Sequence, residues 1–153
     1  MKNKKEKKVS KHKKKIEKVA YTYGVFDLFH SGHIELLRDA KNLGDKLIVG
    51  LFTDEVVKNF KRKPIITLHH RIPMLKHCVF VDEVVIQDEL EPDKNLAKYK
   101  PHILAKGPGA GWGEGSDVIP GEKTMKKIGG VVIQLNYHDG ISTSQIIKKI
   151  QEK

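Results

Sequence analysis

The chain has 153 residues, 39% hydrophobic and 31% charged, with one cysteine and a formal net charge of +10. That length fits one ordinary domain and buries about 70% of its unfolded surface, so no metal or disulfide staple is required. No apolar run approaches the roughly 18 residues of a membrane span, and the basic opening leads into no apolar signal segment. The lone Cys78 allows no intrachain disulfide, in keeping with a reducing cytoplasm. Located along the chain, the charge is a tail: residues 1–18 hold ten Lys against two Glu, and the remainder carries 19 basic and 17 acidic side chains. Such a run predicts a solvated, disordered extension ahead of one domain over 19–153, with an arm for nucleic acid or acidic lipid as the alternative.

In chain order, residues 19–25 predict a buried strand ending at a turn, and 33–43 a helix with Ile34, Leu37 and Ala40 on one face and Gly44 as its stop. A second strand follows over 47–52, and Thr53 caps a short helix through Val57 and Phe60. Residues 67–78 read as helical, with Pro73 placed to kink the helix or move its start. Residues 84–86 and 103–105 are short apolar strands. Six Gly and two Pro mark 107–121 as a loop. Gly129-Gly130 then punctuates the chain before a strand over 131–135, and a last amphipathic helix begins near Ser142 with Ile146, Ile147 and Ile150 on its apolar side. This alternation predicts an α/β fold, an open parallel sheet with helices on both faces, whose ligand site lies at the carboxyl ends of the strands where their order reverses.

The segment Gly24-Val25-Phe26-Asp27-Leu28-Phe29-His30-Ser31-Gly32-His33 falls where the first strand becomes the first helix. Backbone N–H groups at such a helix start make an anion site. Gly32 lets a bulky group come close, and two imidazoles flank it as donors to phosphoryl oxygens. Near the far end, Asp139-Gly140-Ile141-Ser142-Thr143-Ser144 opens the last helix with three hydroxyls at a second helix start. Either segment alone also reads as helix capping. Two phosphate-suited helix starts in one chain point to a nucleotide.

The first segment resembles the His-x-Gly-His signature of the nucleotidyltransferases related to the cytidylyltransferases, and the second their Gly-x-Ser-Thr-Thr/Ser motif; the resemblance covers nearly all of 19–151. It implies a Rossmann-like fold, a homodimer, and an enzyme joining a nucleoside triphosphate, ATP or CTP with Mg²⁺, to a phosphorylated small molecule with release of pyrophosphate. It assigns His30 and His33 to the α- and β-phosphoryl oxygens, Lys61 and Arg71 to the charge of the phosphates, and Gly24, Val25, Phe26, Asp27, Gly32, Lys106, Gly107, Gly140, Ile141, Ser142, Thr143 and Ser144 to the nucleotide. Asp27 is read as holding the turn or orienting a histidine, and Lys58 and Lys63 as surface charges. No clustered carboxylates form a protein-only metal cage, so Mg²⁺ is expected to arrive with the nucleotide.

The two halves resemble different subfamilies. His30-Ser31-Gly32-His33, Asn59-Phe60-Lys61, His77-Cys78 and the segment 81–85 are similar to the phosphocholine and glycerol-phosphate cytidylyltransferases, but Val79 and Tyr137 stand where those enzymes carry arginines. Neither side chain offers a guanidinium's fork of donors. Segments 101–107, 129–132 and 135–150 resemble the adenylyltransferases that make ADP-activated heptose from heptose 1-phosphate. There the departure is residues 107–112, Gly-Pro-Gly-Ala-Gly-Trp, in place of Gly-Gly-Asp and an aromatic. Trp112 is read either as stacking on a base or sugar or as loop packing. The resemblance thus implies ATP with a sugar 1-phosphate, with CTP and an alcohol phosphate as the alternative.

Overall fold

The computed structural model describes residues 15–107, 119–136 and 138–153. Most of the basic tail, Trp112 with nearly all of its loop, and Tyr137 lie outside the described residues. Five strands, β1 (Val19–Gly24), β2 (Lys46–Phe52), β3 (Glu83–Gln87), β4 (Ile103–Lys106) and β5 (Val131–Gln134), form one sheet in the order β3-β2-β1-β4-β5, every neighbouring pair parallel. The helices are α1 (Ser31–Lys41), α2 (Asp54–Phe60), α3 (Leu68–Lys76), α4 (Asp93–Tyr99), α5 (Glu122–Ile128) and α6 (Thr143–Gln151). No described helix is long and apolar enough to cross a membrane.

Strand side chains alternate between two faces, and both faces are covered. On one side Ala20, Val49, Leu51, Ile103 and Ala105 pack with Leu37 and Ala40 of α1 and Leu75 of α3. On the other, Tyr21, Ile48, Val85 and Leu104 pack with Leu96 of α4 and Met125 of α5. A hydrogen-bonded triad lies within the second layer: Tyr21 Oη donates to Gln87 Oε1 at 2.7 Å and accepts from Asn95 Nδ2 at 3.0 Å. The chain builds outward from β1 through β2 to β3 and then crosses back to place β4 on the other side of β1. The strand order therefore reverses between β1 and β4, as the alternation of elements predicts.

Several boundaries differ from the sequence expectation for identifiable reasons. α1 begins at Ser31, two residues early, because His30 is its N-cap. It ends at Lys41, and Gly44 is not its stop: a Cβ there would lie 2.5 Å from the Lys18 carbonyl oxygen, so this glycine permits a close chain crossing. Pro73 sits inside α3 without dividing it. α4 and α5 are absent from the sequence reading because Pro92 and Gly121 stand at their N-caps and neither start has a capping side chain, unlike the equally short α2 with Thr53.

Arg71 is the main correction. Expected at the phosphates, it is 1% exposed and is spent on the scaffold. Its Nη1 donates to the Val25 carbonyl at 2.8 Å, Nε to the Ile66 carbonyl at 2.9 Å, and Nη2 to Asp54 Oδ1 at 2.6 Å. Asp54 in turn accepts from the Leu68 N–H. The guanidinium thereby ties the turn after β1, the segment before α3 and the start of α2 into one unit. Only a planar fork of donors reaches three such acceptors. Removing it strands a carboxylate and two carbonyls, so Arg71→Ala is expected to lose about 3 kcal/mol or more of unfolding free energy, and Arg71→Lys to recover only part of that. Urea denaturation checks this, and wild-type stability in Arg71→Ala contradicts the clamp.

Candidate active site

A cleft of about 370 Å³ opens at the carboxyl ends of β1 and β4, at the point where the strand order reverses. From the turn after β1 come Gly24, Val25, Phe26, Asp27, His30, Gly32 and His33; from the end of α2, Lys61; from the end of β4, Lys106 and Gly107; and from the start of α6, Ile141, Ser142, Thr143 and Ser144. The two motifs, over a hundred residues apart in the chain, thus share one cavity. Arg71 and Gly140 do not line it; Gly140 has φ +118° in the turn leading to α6. Lys58 and Lys63 are exposed away from it, as expected.

The imidazoles are oriented by a reciprocal capping arrangement. His30 Nδ1 accepts from the Gly32 N–H at 3.1 Å, and His33 Nδ1 accepts from the His30 N–H at 3.3 Å. With both Nδ1 atoms acting as acceptors, each neutral ring carries its proton on Nε2. The His30 Nε2–H lies 3.4 Å from Thr143 Oγ1, which itself donates to the Asp27 carbonyl at 2.8 Å. Backbone N–H groups of α1 were expected to form the anion site, but those of Gly32, His33 and Ile34 are consumed by His30. The donors offered at this helix start are therefore the imidazoles and the Ser31 N–H, which precedes the bonds to His30. Gly32 suits the same geometry, since a Cβ would sit 3.0 Å from the His30 ring and 3.2 Å from the Ile141 carbonyl oxygen, tight enough to make one of them shift.

The two rings stack with centroids 3.8 Å apart, and His33 is also flanked by Phe26 and Phe29. Burial, then the adjacent His30 ring and the nearby Lys61, push the His33 pKa down to about 3 against an opposing pull from Asp27. Burial lowers that of His30 as well. Both rings are thus held neutral, as Nε2–H donors, at physiological pH.

Asp27 is 3% exposed, and its carboxylate is fully engaged in holding the turn. It accepts from the N–H groups of Ile65 and Ile66 at 2.8 Å each, from Leu28 N–H at 3.1 Å and from Arg62 Nη1 at 3.1 Å. Burial opposes its charge, but these donors outweigh burial and hold its pKa below the usual value. A carboxylate so committed is a structural acceptor rather than a base. At the opposite wall, Ser142 Oγ caps α6 by accepting from the Gln145 N–H, and Ile146 N–H bonds the Ser142 carbonyl. The N–H groups of Thr143 and Ser144 come before the first intrahelical bonds and are the donors such a helix end presents to an anion.

Sequence reasoning missed several lining residues: Tyr23, Leu36, Val57, Arg62, Ala105, Asn136 and His138. Arg62 sits inside the run Lys61-Arg62-Lys63, where nothing in the sequence separates a cleft-facing cation from solvated ones. His138 falls within the segment 135–150, where nothing in the sequence marks that it lies beside two carboxylates of α1. Among the described residues, no three His, Cys, Asp or Glu side chains gather as a metal-binding group.

A profile of the cytidylyltransferase-like family matches residues 21–149. Over 147 residues the chain is 40% identical to the bifunctional protein HldE of Escherichia coli O139:H28 and to that of Citrobacter koseri. These matches cover 94% of this chain and 30% of the relatives, so the chain spans under a third of their length. Among solved structures, the lipopolysaccharide core biosynthesis protein of Thermoplasma volcanium superposes with a TM-score of 0.67 at 25% identity, covering 80% of this chain and 99% of that one. The pantoate-beta-alanine ligase of Francisella tularensis, at 18% identity and a TM-score of 0.57 over 90% of this chain and 71% of its own, shares the fold. The matched stretch begins within β1 and runs into α6, taking in every element that builds the cleft. The chain belongs to the cytidylyltransferase-like family.

Proposed function

We propose that the protein transfers AMP from ATP to a sugar 1-phosphate, of the heptose type, releasing pyrophosphate and forming an ADP-sugar. The observation that carries the triphosphate reading is the meeting of the neutral His30–His33 pair and the α6 start in one cleft at the strand-order reversal. The choice of adenylyl transfer and of a sugar rests on the resemblance of segments 101–107, 129–132 and 135–150, together with the 40% identity to HldE. The name of the Thermoplasma volcanium structure, which points to saccharide assembly, agrees with it.

In this reading an oxygen of the acceptor phosphate attacks the α-phosphorus in line. A P–O bond forms there as the bond to the β-phosphate oxygen breaks, and pyrophosphate leaves with the electron pair. The attacking group is already anionic and needs no base, so the protein positions two anions and spreads charge in the transition state. Nε2–H of His30 and His33 donate to α- and β-phosphoryl oxygens. Ser142, Thr143 and Ser144 with the α6 N–H groups hold the β- and γ-phosphates. Lys61, joined by Arg62 in place of Arg71, offsets charge at the acceptor side, and Lys106 reaches in from β4. In this reading Mg²⁺ enters with the substrate as the metal–nucleotide complex. The homodimer implied by the resemblance is supported by the exposed apolar side chains Val79, Ile86 and Leu90 around edge strand β3.

Pyrophosphate release, measured with ATP or CTP against sugar 1-phosphates and alcohol phosphates, tests the reading. ATP with a sugar 1-phosphate is the expected pair, and turnover with CTP and an alcohol phosphate alone replaces it by the cytidylyl reading. His30→Ala is expected to lower kcat by about 10² or more with the fold intact; near-native turnover removes His30 from the chemistry.

Neutral histidines also leave a signature in stability. The unfolded chain binds the His33 proton near the ordinary value of about 6.5, the folded chain only near 3. Unfolding therefore takes up a proton between those values, and stability falls as pH drops through that window, by at most about 1.4 kcal/mol per pH unit. Denaturation at pH 7 and pH 5 should show a larger loss in the wild type than in His33→Asn. Equal losses contradict a buried neutral ring.

A further inference from the structure

His138 lies between β5 and α6, lines the cleft, and is gripped by two carboxylates one turn apart on α1. Its Nε2 meets Asp39 Oδ2, and its Nδ1 lies 3.6 Å from Glu35 Oε2. Residues i and i+4 share a helix face, so the imidazole is set against one stripe of α1. The hydrogen bond from His138 is the largest influence holding the Asp39 carboxyl below the usual range. Asp39 and Glu35 do not line the cleft.

The segment from Leu135 to Thr143 is fastened at three points. Leu135 N–H donates to the Lys106 carbonyl at 2.8 Å, His138 holds α1, and Thr143 Oγ1 donates to the Asp27 carbonyl. Between the last two points the backbone passes through Asp139 and Gly140, where φ is +118° and a Cβ would meet nothing within 4 Å. A glycine in open space leaves this stretch free to vary unless its ends are tied.

We infer that His138 is a positioning residue: through Asp39 and Glu35 it fixes the segment before α6 against α1, and so sets the distance between the two phosphate-binding helix starts. The inference deepens the triphosphate reading above and rests on it for its kinetic consequence. The tie acts on ground-state nucleotide binding. Its loss raises KM for the nucleotide while leaving kcat nearly unchanged, because His30 and His33 keep their own capping bonds within α1.

The test compares His138→Ala, Glu35→Ala/Asp39→Ala, and the triple variant. Alanine suits the α1 positions, and the Arg38–Asp39 pair lost with Asp39 is partly exposed and worth little. Each of the first two is expected to raise KM for the nucleotide about tenfold, and the triple variant no further, since the groups act as one contact. Amide exchange of Gln145 and Ile146, whose N–H groups bond Ser142, should quicken in each variant without any nucleotide present. Wild-type KM and exchange in Glu35→Ala/Asp39→Ala overturn the inference, as does a raised KM confined to His138→Ala, which makes His138 a direct ligand contact. If exchange responds but no nucleotide is bound or turned over by the wild type, the positioning stands and the triphosphate reading fails.

Discussion

The Asp27 carboxylate takes three backbone N–H groups and one guanidinium nitrogen while lying 3% exposed, and the residue's carbonyl takes the Thr143 hydroxyl. Three parts of the chain meet at this residue: the turn after β1, the segment between α2 and α3, and the start of α6. A buried charge is tolerated only when it is paired and hydrogen-bonded, so the turn, the basic segment and the far helix are fixed together or not at all. Arg71 performs the complementary task two residues earlier, where it satisfies the Val25 carbonyl. The cleft is the space left between these tied segments.

That construction explains how the turn sustains an unfavourable backbone. Phe26 and Leu28 both have φ near +50°, a region that costs a bulky residue on the order of 1–3 kcal/mol. Phe26 offsets this by burying its ring in the core and against His33, and Leu28 donates its N–H to Asp27. The twist aims the chain so that His30 caps α1 with its own ring. The helix start is then read out through imidazole Nε2–H groups held at a fixed tautomer. The arrangement suits group transfer between two anions, where preorganised donors matter more than a base.

The sequence showed what depends on local pattern. A strand, a turn with two histidines around a glycine, and a helix are contiguous, so their chemistry can be read from spacing. The hydroxyl-rich helix start before Gln145 is visible for the same reason, and Ser142 caps it as its position implies. Arg71 was legible as a cation but not as a buried one, because a basic residue on a short helix looks the same whether it meets a phosphate or a backbone carbonyl. Arg62 was hidden inside a run of like charges. The grip of His138 on Asp39 joins residues 99 apart, which no local period encodes. The short helices α4 and α5 escaped because Pro92 and Gly121 stand where α2 has its capping Thr53, so no side chain marks their start.

The central claim is that one triphosphate spans both helix starts, and the most direct measurement is a crystal structure with a non-hydrolysable ATP analogue and Mg²⁺. The account predicts the α-phosphate within hydrogen-bond reach of His30 Nε2, with the terminal phosphates against the N–H groups and hydroxyls of Ser142, Thr143 and Ser144. Phosphates bound away from either helix start, or an analogue lying outside the cleft between β1 and β4, would contradict it.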